Sequence, residues 1–292
     1  MKNKNIWLVL SGWGVNGFVY VGVMKYLEEK GIKPVIIWWT SVGSIFGALI
    51  SAWYSWKEME NYVSDLENRM KWFKDVNWKN ISKTTVTANI NHTTWLIKWD
   101  KIKVEIWKLL EAKNIKTFLD LKTPFYLHTV NINTAEDVCV SSLSNQYKNK
   151  NVLEYIRASI SIPWVFEPYE IDWKYFVDWW VRSNYPVLSL PKIAKENNIK
   201  IDKVLAINIF PEFSEEDNFH KESFLEILLR SISISILDQY DADTEVFVEK
   251  YKDIELININ INKIFKNAIL TAKITDAIDY WYNEIKRQLE VK

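Results

Sequence analysis

Val35-Ile36-Ile37-Trp38-Trp39-Thr40-Ser41-Val42-Gly43 joins one apolar run directly to another that continues to about Tyr54. The first five residues read as a strand buried on both faces, as strands inside parallel sheets are. The residues after the bend read as an apolar helix. A serine at such a bend, with glycine two positions later, has the form of a strained turn that lifts a hydroxyl off the end of a sheet. That form wants a small residue two positions before the serine as well, and Trp39 stands there.

Working outward, Ile6–Leu10 is another buried apolar run, followed by Ser11-Gly12-Trp13-Gly14-Val15-Asn16-Gly17. A helix is predicted from about Gly17 to Lys30, with Val19, Tyr20, Val23, Tyr26 and Leu27 on one stripe. Gly31 is placed to end it. Strand, helix, strand, helix at this spacing argues for an α/β fold built on a mainly parallel sheet. Ser55 and Glu58 form a capping-box pair opening a third helix. A helix over 101–112, strands at 125–130 and 138–142, a short helix at 151–159 and a strand ending at Asp178 follow. Strands at 204–209 and 254–259 and a helix over 275–290 complete the pattern. No linker or repeat interrupts it, so the expectation is one domain over 1–292. The polar, threonine-rich segment 72–100 is read as a lid or cap.

Charge is balanced, 37 basic residues against 37 acidic, so no global field draws the chain to nucleic acid. Cys139 is the single cysteine, expected as a buried strand residue, and excludes an internal disulfide. His92, His128 and His220 lie far apart and form no metal-type cluster with it, so no metal is expected. They read as solvated or structurally satisfied. The uncharged run 34–56 is long enough to span a bilayer, but its serines, Thr40, Gly43 and Gly47 suit a buried strand-turn-helix better. Residues 5–24 lack a signal peptide's unbroken apolar core and cleavage site. A soluble, cytoplasmic protein is expected.

The composition is unusual in one respect. The chain has 16 Trp and 7 Gly, where ordinary usage would give about 20 Gly. Trp13, Trp39, Trp179 and Trp180 fall at places where only a residue without Cβ turns tightly at low cost. Either these tryptophans are real and the site is crippled, or the gene reads UGA as glycine. Under the second explanation Trp7, Trp13, Trp38, Trp39, Trp53, Trp95, Trp99, Trp164, Trp173, Trp179, Trp180 and Trp281 become glycine. Trp56, Trp72, Trp78 and Trp107 stay. The codons separate the two, and φ > 0 at several of the suspect positions would betray missing glycines.

Three elements carry chemistry. Residues 39–43, with Trp39, Thr40, Val42 and Gly43 around Ser41, form the bend. The loop Gly12–Gly17 offers consecutive main-chain N–H groups to an oxyanion. It also fits G-x-G-x-x-G, but a dinucleotide fold wants an acid at the end of the second strand, and none is there. Phe176-Val177-Asp178-Trp179-Trp180-Val181 places an acid at a strand end. With no histidine in a comparable motif, a Ser41–Asp178 dyad fits better than a triad. The bland alternatives are a helix N-cap for Ser41 and a turn acid for Asp178.

Taken together, these motifs resemble those of the patatin-like phospholipases, a family of lipid acyl hydrolases. The family's oxyanion loop, G-x-S-x-G elbow and D-G-[GA] acid correspond to residues 12–17, 39–43 and 178–180. The run Arg157–Phe166 and Asn184-Tyr185-Pro186 resemble the family's segments on either side of the acid. The resemblance implies a three-layer α/β/α fold, Ser41 as nucleophile, Asp178 as base, and oxyanion donors among Gly12, Trp13, Gly14, Val15, Asn16 and Gly17. It implies no metal or cofactor, a lipid ester substrate and transient contact with a membrane surface. Asn16 stands where the family prefers Arg or Lys. A non-catalytic protein on the same fold, binding lipid or a protein partner, is the alternative if the tryptophans are genuine.

Overall fold

A computed structural model of the chain describes residues 4–12, 17–69, 100–163, 166–183, 185–210, 224–261 and 274–290. The lid expected over 72–100 lies outside them but for its last residue, and so do Trp13, Gly14, Val15 and Asn16 of the loop.

The eight-stranded sheet runs β5-β6-β3-β2-β1-β7-β8, with β4 also paired to β3. The strands are β1 (Ile6–Leu10), β2 (Ile36–Trp39), β3 (Phe125–Asn131), β4 (Glu136–Ser141), β5 (Tyr169–Ile171), β6 (Lys174–Asp178), β7 (Lys203–Ile209) and β8 (Glu255–Ile261). The β8-β7-β1-β2-β3 half is parallel, and β4, β5 and β6 add antiparallel pairs at the other side. Central strands β1, β2, β3 and β7 are buried along their whole length, which is why they read as unbroken apolar runs.

Helices cover both faces. α1 (Val19–Glu29), α2 (Gly43–Ser51), α3 (Trp56–Arg69), α4 (Asp100–Ala112), α5 (Val152–Ser159) and α8 (Ile274–Glu290) pack with Leu8, Leu10, Ile37 and Trp39 on one side. α6 (Leu190–Glu196) and α7 (Phe224–Lys250) pack with Trp7, Val9, Ile36 and Trp38 on the other. Alternate residues of β1 and β2 therefore feed two separate cores, and the layers are α/β/α as expected. The capping box at Ser55 forms: Glu58 accepts from the Ser55 N–H at 2.8 Å, and the Ser55 hydroxyl accepts from Glu58 N–H at 3.2 Å.

Several expectations are corrected. α2 stops at Ser51 rather than near Tyr54. Cys139 is half-buried rather than buried. β5, α6 and α7 have no counterpart among the predicted elements.

Candidate active site

Strand β3 decides the geometry. Along one edge it pairs with β4, from Tyr126↔Ser141 to Asn131↔Glu136. A strand has only two edges, so β2 and β6 share the other. β2 runs parallel up to Trp39↔Leu127, and β6 comes down antiparallel to Thr129↔Asp178. The C-terminal ends of β2 and β6 thus meet head-on, with only His128 of β3 between their last pairs. Ser41 lies just beyond one end, and Asp178 is the other end.

Ser159, at the last turn of α5, fills the gap. Its Oγ accepts from the Ser41 N–H at 3.2 Å and donates to the His128 carbonyl at 2.8 Å. Two residues on, the Ser161 carbonyl accepts from the Asp178 N–H at 2.9 Å. One helix end therefore pins both strand ends. Buried Arg157 braces that end by donating to the Ser161 hydroxyl and, at 3.2 Å, to the Glu167 carbonyl. Its guanidinium lies 5.1 Å from the Tyr169 ring centre, and burial lowers its pKa to about 10. Sequence reading singled out this segment only for its resemblance. The clamping role of Ser159 and Ser161 has no signature beyond two small polar residues after a helix.

Ser41 has φ 54°, left-handed backbone on a residue with a Cβ. Such backbone costs of order 1–3 kcal/mol and persists where its surroundings over-determine it. Here the Ser41 carbonyl accepts from the Ser44 N–H at 2.7 Å, and Ser159 holds its N–H. Val42, not Ser41, occupies the N-cap of α2, so the N-cap reading of Ser41 fails.

Gly12 sits against the bend. A Cβ placed there would lie 2.2 Å from Ser41 Cβ, 2.8 Å from the Thr40 carbonyl and 3.0 Å from Ser41 Oγ. The loop entrance is fixed to β7 and α1: Ile209 N–H donates to Ser11 Oγ at 2.9 Å, Ser11 N–H donates to the Ile207 carbonyl, and Tyr20 hydroxyl donates to the Ser11 carbonyl. Gly17, at the far end of the loop, approaches Val42 and Phe46, and Gly43 approaches the Leu10 and Ser11 carbonyls. Gly12 therefore lies directly against Ser41, with Gly17 and Gly43 packed on the bend's flanks.

Asp178 is fully buried. Its Oδ1 accepts from the Trp180 N–H at 2.9 Å, opening the short 3-10 turn Trp179–Val181. The turn-acid reading is thus true of one oxygen. Oδ2 completes no hydrogen bond. Burial raises the carboxyl pKa to about 7, against the lowering influence of the Ser41 hydroxyl and the Trp180 N–H. A buried carboxyl titrating near neutrality beside a hydroxyl can exchange a proton with it.

His128 is not solvated. It is buried, with Nδ1 2.8 Å from Asp137 Oδ1. Burial alone would lower its pKa, but Cys139 and Asp137 outweigh that and raise it to about 10. The ring stacks on Trp38 and lies 4.3 Å from Trp179. His92, His220, Trp164 and Asn184 lie outside the described residues. An open cavity lined by Asp137, Cys139, Tyr147 and Arg182 lies at the β3–β4 hairpin and includes neither Ser41 nor Asp178. Among the described residues no cluster of His, Cys, Asp and Glu could hold a metal ion, and no helix is long and apolar enough to cross a membrane.

Comparison with known proteins decides the family. The family model described as Patatin-like phospholipase matches residues 8–191, which hold the loop, the bend, the clamp and the acid. The chain belongs to the patatin-like phospholipase family. Among curated relatives, the uncharacterized protein YqhO of Bacillus subtilis is 28% identical over 243 residues, covering 80% of this chain and 81% of that protein. Lysophospholipase NTE1 of Debaryomyces hansenii is 26% identical over 205 residues, 69% of this chain. The match spans only 12% of that much longer protein. Among solved structures, VipD from Legionella pneumophila superposes with a TM-score of 0.53 at 13% identity, covering 99% of this chain and 67% of that one. That likeness concerns the fold. The family's description and the lysophospholipase relative direct attention to lipid esters.

Proposed function

We propose that the protein is a serine lipid acyl hydrolase that cleaves carboxylic esters of phospholipids or related lipids through Ser41 and Asp178. The head-on meeting of β2 and β6 carries this reading, because it sets a hydroxyl on a strained bend against a buried carboxyl with a free oxygen. Ser41 Oγ attacks the ester carbonyl as Asp178 takes its proton. Main-chain N–H groups of the Gly12–Gly17 loop, Trp13, Gly14, Val15 and Asn16 included, receive the oxyanion of the tetrahedral intermediate. Asp178 returns the proton to the leaving alcohol, and water, activated by the same carboxylate, then releases the fatty acid and regenerates the serine. A carboxyl with pKa about 7 is matched to taking and giving a proton near neutral pH.

No cofactor enters these steps. The substrate resides in membranes, so the protein works at a membrane surface. The family match and the lysophospholipase relative support the substrate class. A fluorophosphonate probe should label folded protein made in its native host at Ser41 and fail to label Ser41→Ala made the same way. Equal labelling of both, or none under conditions that label other serine hydrolases, overturns the proposal. The near-complete burial of Ser41 favours a second reading, a lipid- or partner-binding protein without turnover, and the same experiment separates the two.

A further inference from the structure

We infer that the protein made in its own cells carries glycine, not tryptophan, at the twelve suspect positions, among them 39, 53, 173, 179 and 180, and tryptophan at 56 and 107. Backbone conformation supplies the first argument, and it comes with an internal control. Four helices end in the same hydrogen-bonded device, with a left-handed residue just past the helix.

After α1 that residue is Gly31, φ 64°, whose N–H donates to the Glu28 carbonyl while Ile32 N–H donates to Leu27. After α4 it is Asn114, φ 58°, with bonds to Glu111 and, from Ile115, to Leu110. After α6 it is Asn198, φ 52°, with bonds to Lys195 and, from Ile199, to Ala194. After α2 it is Trp53, φ 61°, with bonds to Ile50 and, from Tyr54, to Leu49. Glycine and asparagine are the residues that take this position. Trp53 is 68% exposed, its indole N–H reaching the Thr123 hydroxyl at 3.3 Å across the surface.

The hairpin between β5 and β6 gives the second argument. Ile171 pairs with Lys174, leaving a two-residue loop, Asp172-Trp173. Their φ values are 51° and 64°. Two positive φ angles in a two-residue hairpin loop mark the turn whose preferred sequence is Asn-Gly or Asp-Gly. Replacing Trp173 alone yields that dipeptide. The indole as written projects into solvent, 90% exposed.

The interior gives the third. Trp7, Trp38, Trp39 and Trp179 are buried with their indole N–H groups unpartnered. Buried donors in native proteins find acceptors with few exceptions. Trp39 lies within 2.7 Å of where Gly43 would carry a Cβ and 2.1 Å of where Gly47 would. It fills a notch that two glycines leave for close passage of β2 and α2. By contrast Trp56, outside the suspect set, receives Lys25 and Lys57 over its ring, each at 4.8 Å. The suspect set breaks local rules in the hairpin turn, at the helix cap and, through unpartnered indole donors, in the core.

The inference does not depend on catalysis. Tandem mass spectrometry of the protein purified from its native cells reads the residues directly. The expected peptides carry glycine at 39, 173, 179 and 180 and tryptophan at 56 and 107, each exchange removing the mass of an indolylmethyl group. Tryptophan at those four positions overturns the inference. A recombinant test is independent of the source: Trp53→Gly with Trp173→Gly raises the thermal midpoint of the chain as written. An unchanged or lowered midpoint counts against glycine there. In a chain with all twelve exchanges, fluorophosphonate labelling at Ser41 should be faster by about a hundredfold or more, the scale of one oxyanion donor brought into correct alignment, because glycine lets the loop's main-chain N–H groups approach the reacting oxygen. Failure of labelling with glycine confirmed by mass would sink the proposed function and leave this inference standing.

Discussion

Replacing Asp178 by asparagine should make the chain more stable as it becomes inert. The carboxyl has an ordinary pKa of 3.8 and is raised by burial to about 7 in the folded protein. The folded state therefore favours the protonated acid. Its contribution to stability is complete below about pH 4 and is lost as pH rises through about 7. Each tenfold change in acidity is equivalent to about 1.36 kcal/mol, so the rise corresponds to about 4 kcal/mol, an upper bound for this group alone. Asparagine keeps the shape and an acceptor for the Trp180 N–H but does not ionise. The stability advantage of Asp178→Asn over the parent chain should therefore grow between pH 4 and pH 7 and level off above it. Urea unfolding of both proteins at pH 4, 6 and 8 measures that difference, and fluorophosphonate labelling measures activity. Parallel stability curves for the two proteins would refute the buried-acid reasoning. Labelling of the variant at the parent rate would refute Asp178 as the base.

Gly12→Ala forces a methyl within 2.2 Å of Ser41 Cβ, so it should cost about 1–3 kcal/mol of stability and abolish labelling of Ser41, as thermal melts and the probe would show. Ser159→Ala leaves the Ser41 N–H and the His128 carbonyl without their shared partner. It should lower stability by about 1–3 kcal/mol and slow labelling, and an unchanged labelling rate would deny the clamp any part in holding the bend. His128 is held protonated, its pKa raised to about 10, so its stabilising contribution is present below about pH 6.5 and lost as pH rises through about 10. Asp137→Asn should therefore destabilise the fold more at pH 6 than at pH 10, measured by denaturant unfolding at both.

What could be read from the chain follows from how locally each element is specified. β1, β2, β3 and β7 were legible because a strand buried on both faces needs an unbroken apolar run. α1 and α8 were legible because their apolar residues recur at helical spacing. α7 was hidden because Ser231-Ile232-Ser233-Ile234-Ser235-Ile236 alternates with period two, the signature of a strand, inside a helix from Phe224 to Lys250. β5 was hidden because its hairpin has Trp173 where a turn signal would have been glycine. Ser41 and Asp178 were found by motif, and so was the loop that brings Gly12 against Ser41. Ser159 and Thr129 were not, because their importance comes from pairing across the sheet. Thr129 donates to the Val177 carbonyl at 2.7 Å, a contact between segments far apart in the chain.

The abutment of β2 and β6 has a mechanical corollary. Neither strand is bonded to the other; β2 is held by both β1 and β3, whereas β6 pairs with β3 through three residue pairs and leans on the Ser161 carbonyl at its end. Peeling the β5–β6 hairpin away would carry the acid off and withdraw Ile171 and Phe176 from the edge of one core, while leaving the parallel half of the sheet paired. Partial opening of this kind demands far less than global melting. On gentle warming, turnover should therefore vanish before the helical signal declines, and amide hydrogens of Phe176–Asp178 should exchange ahead of those of Leu8–Leu10.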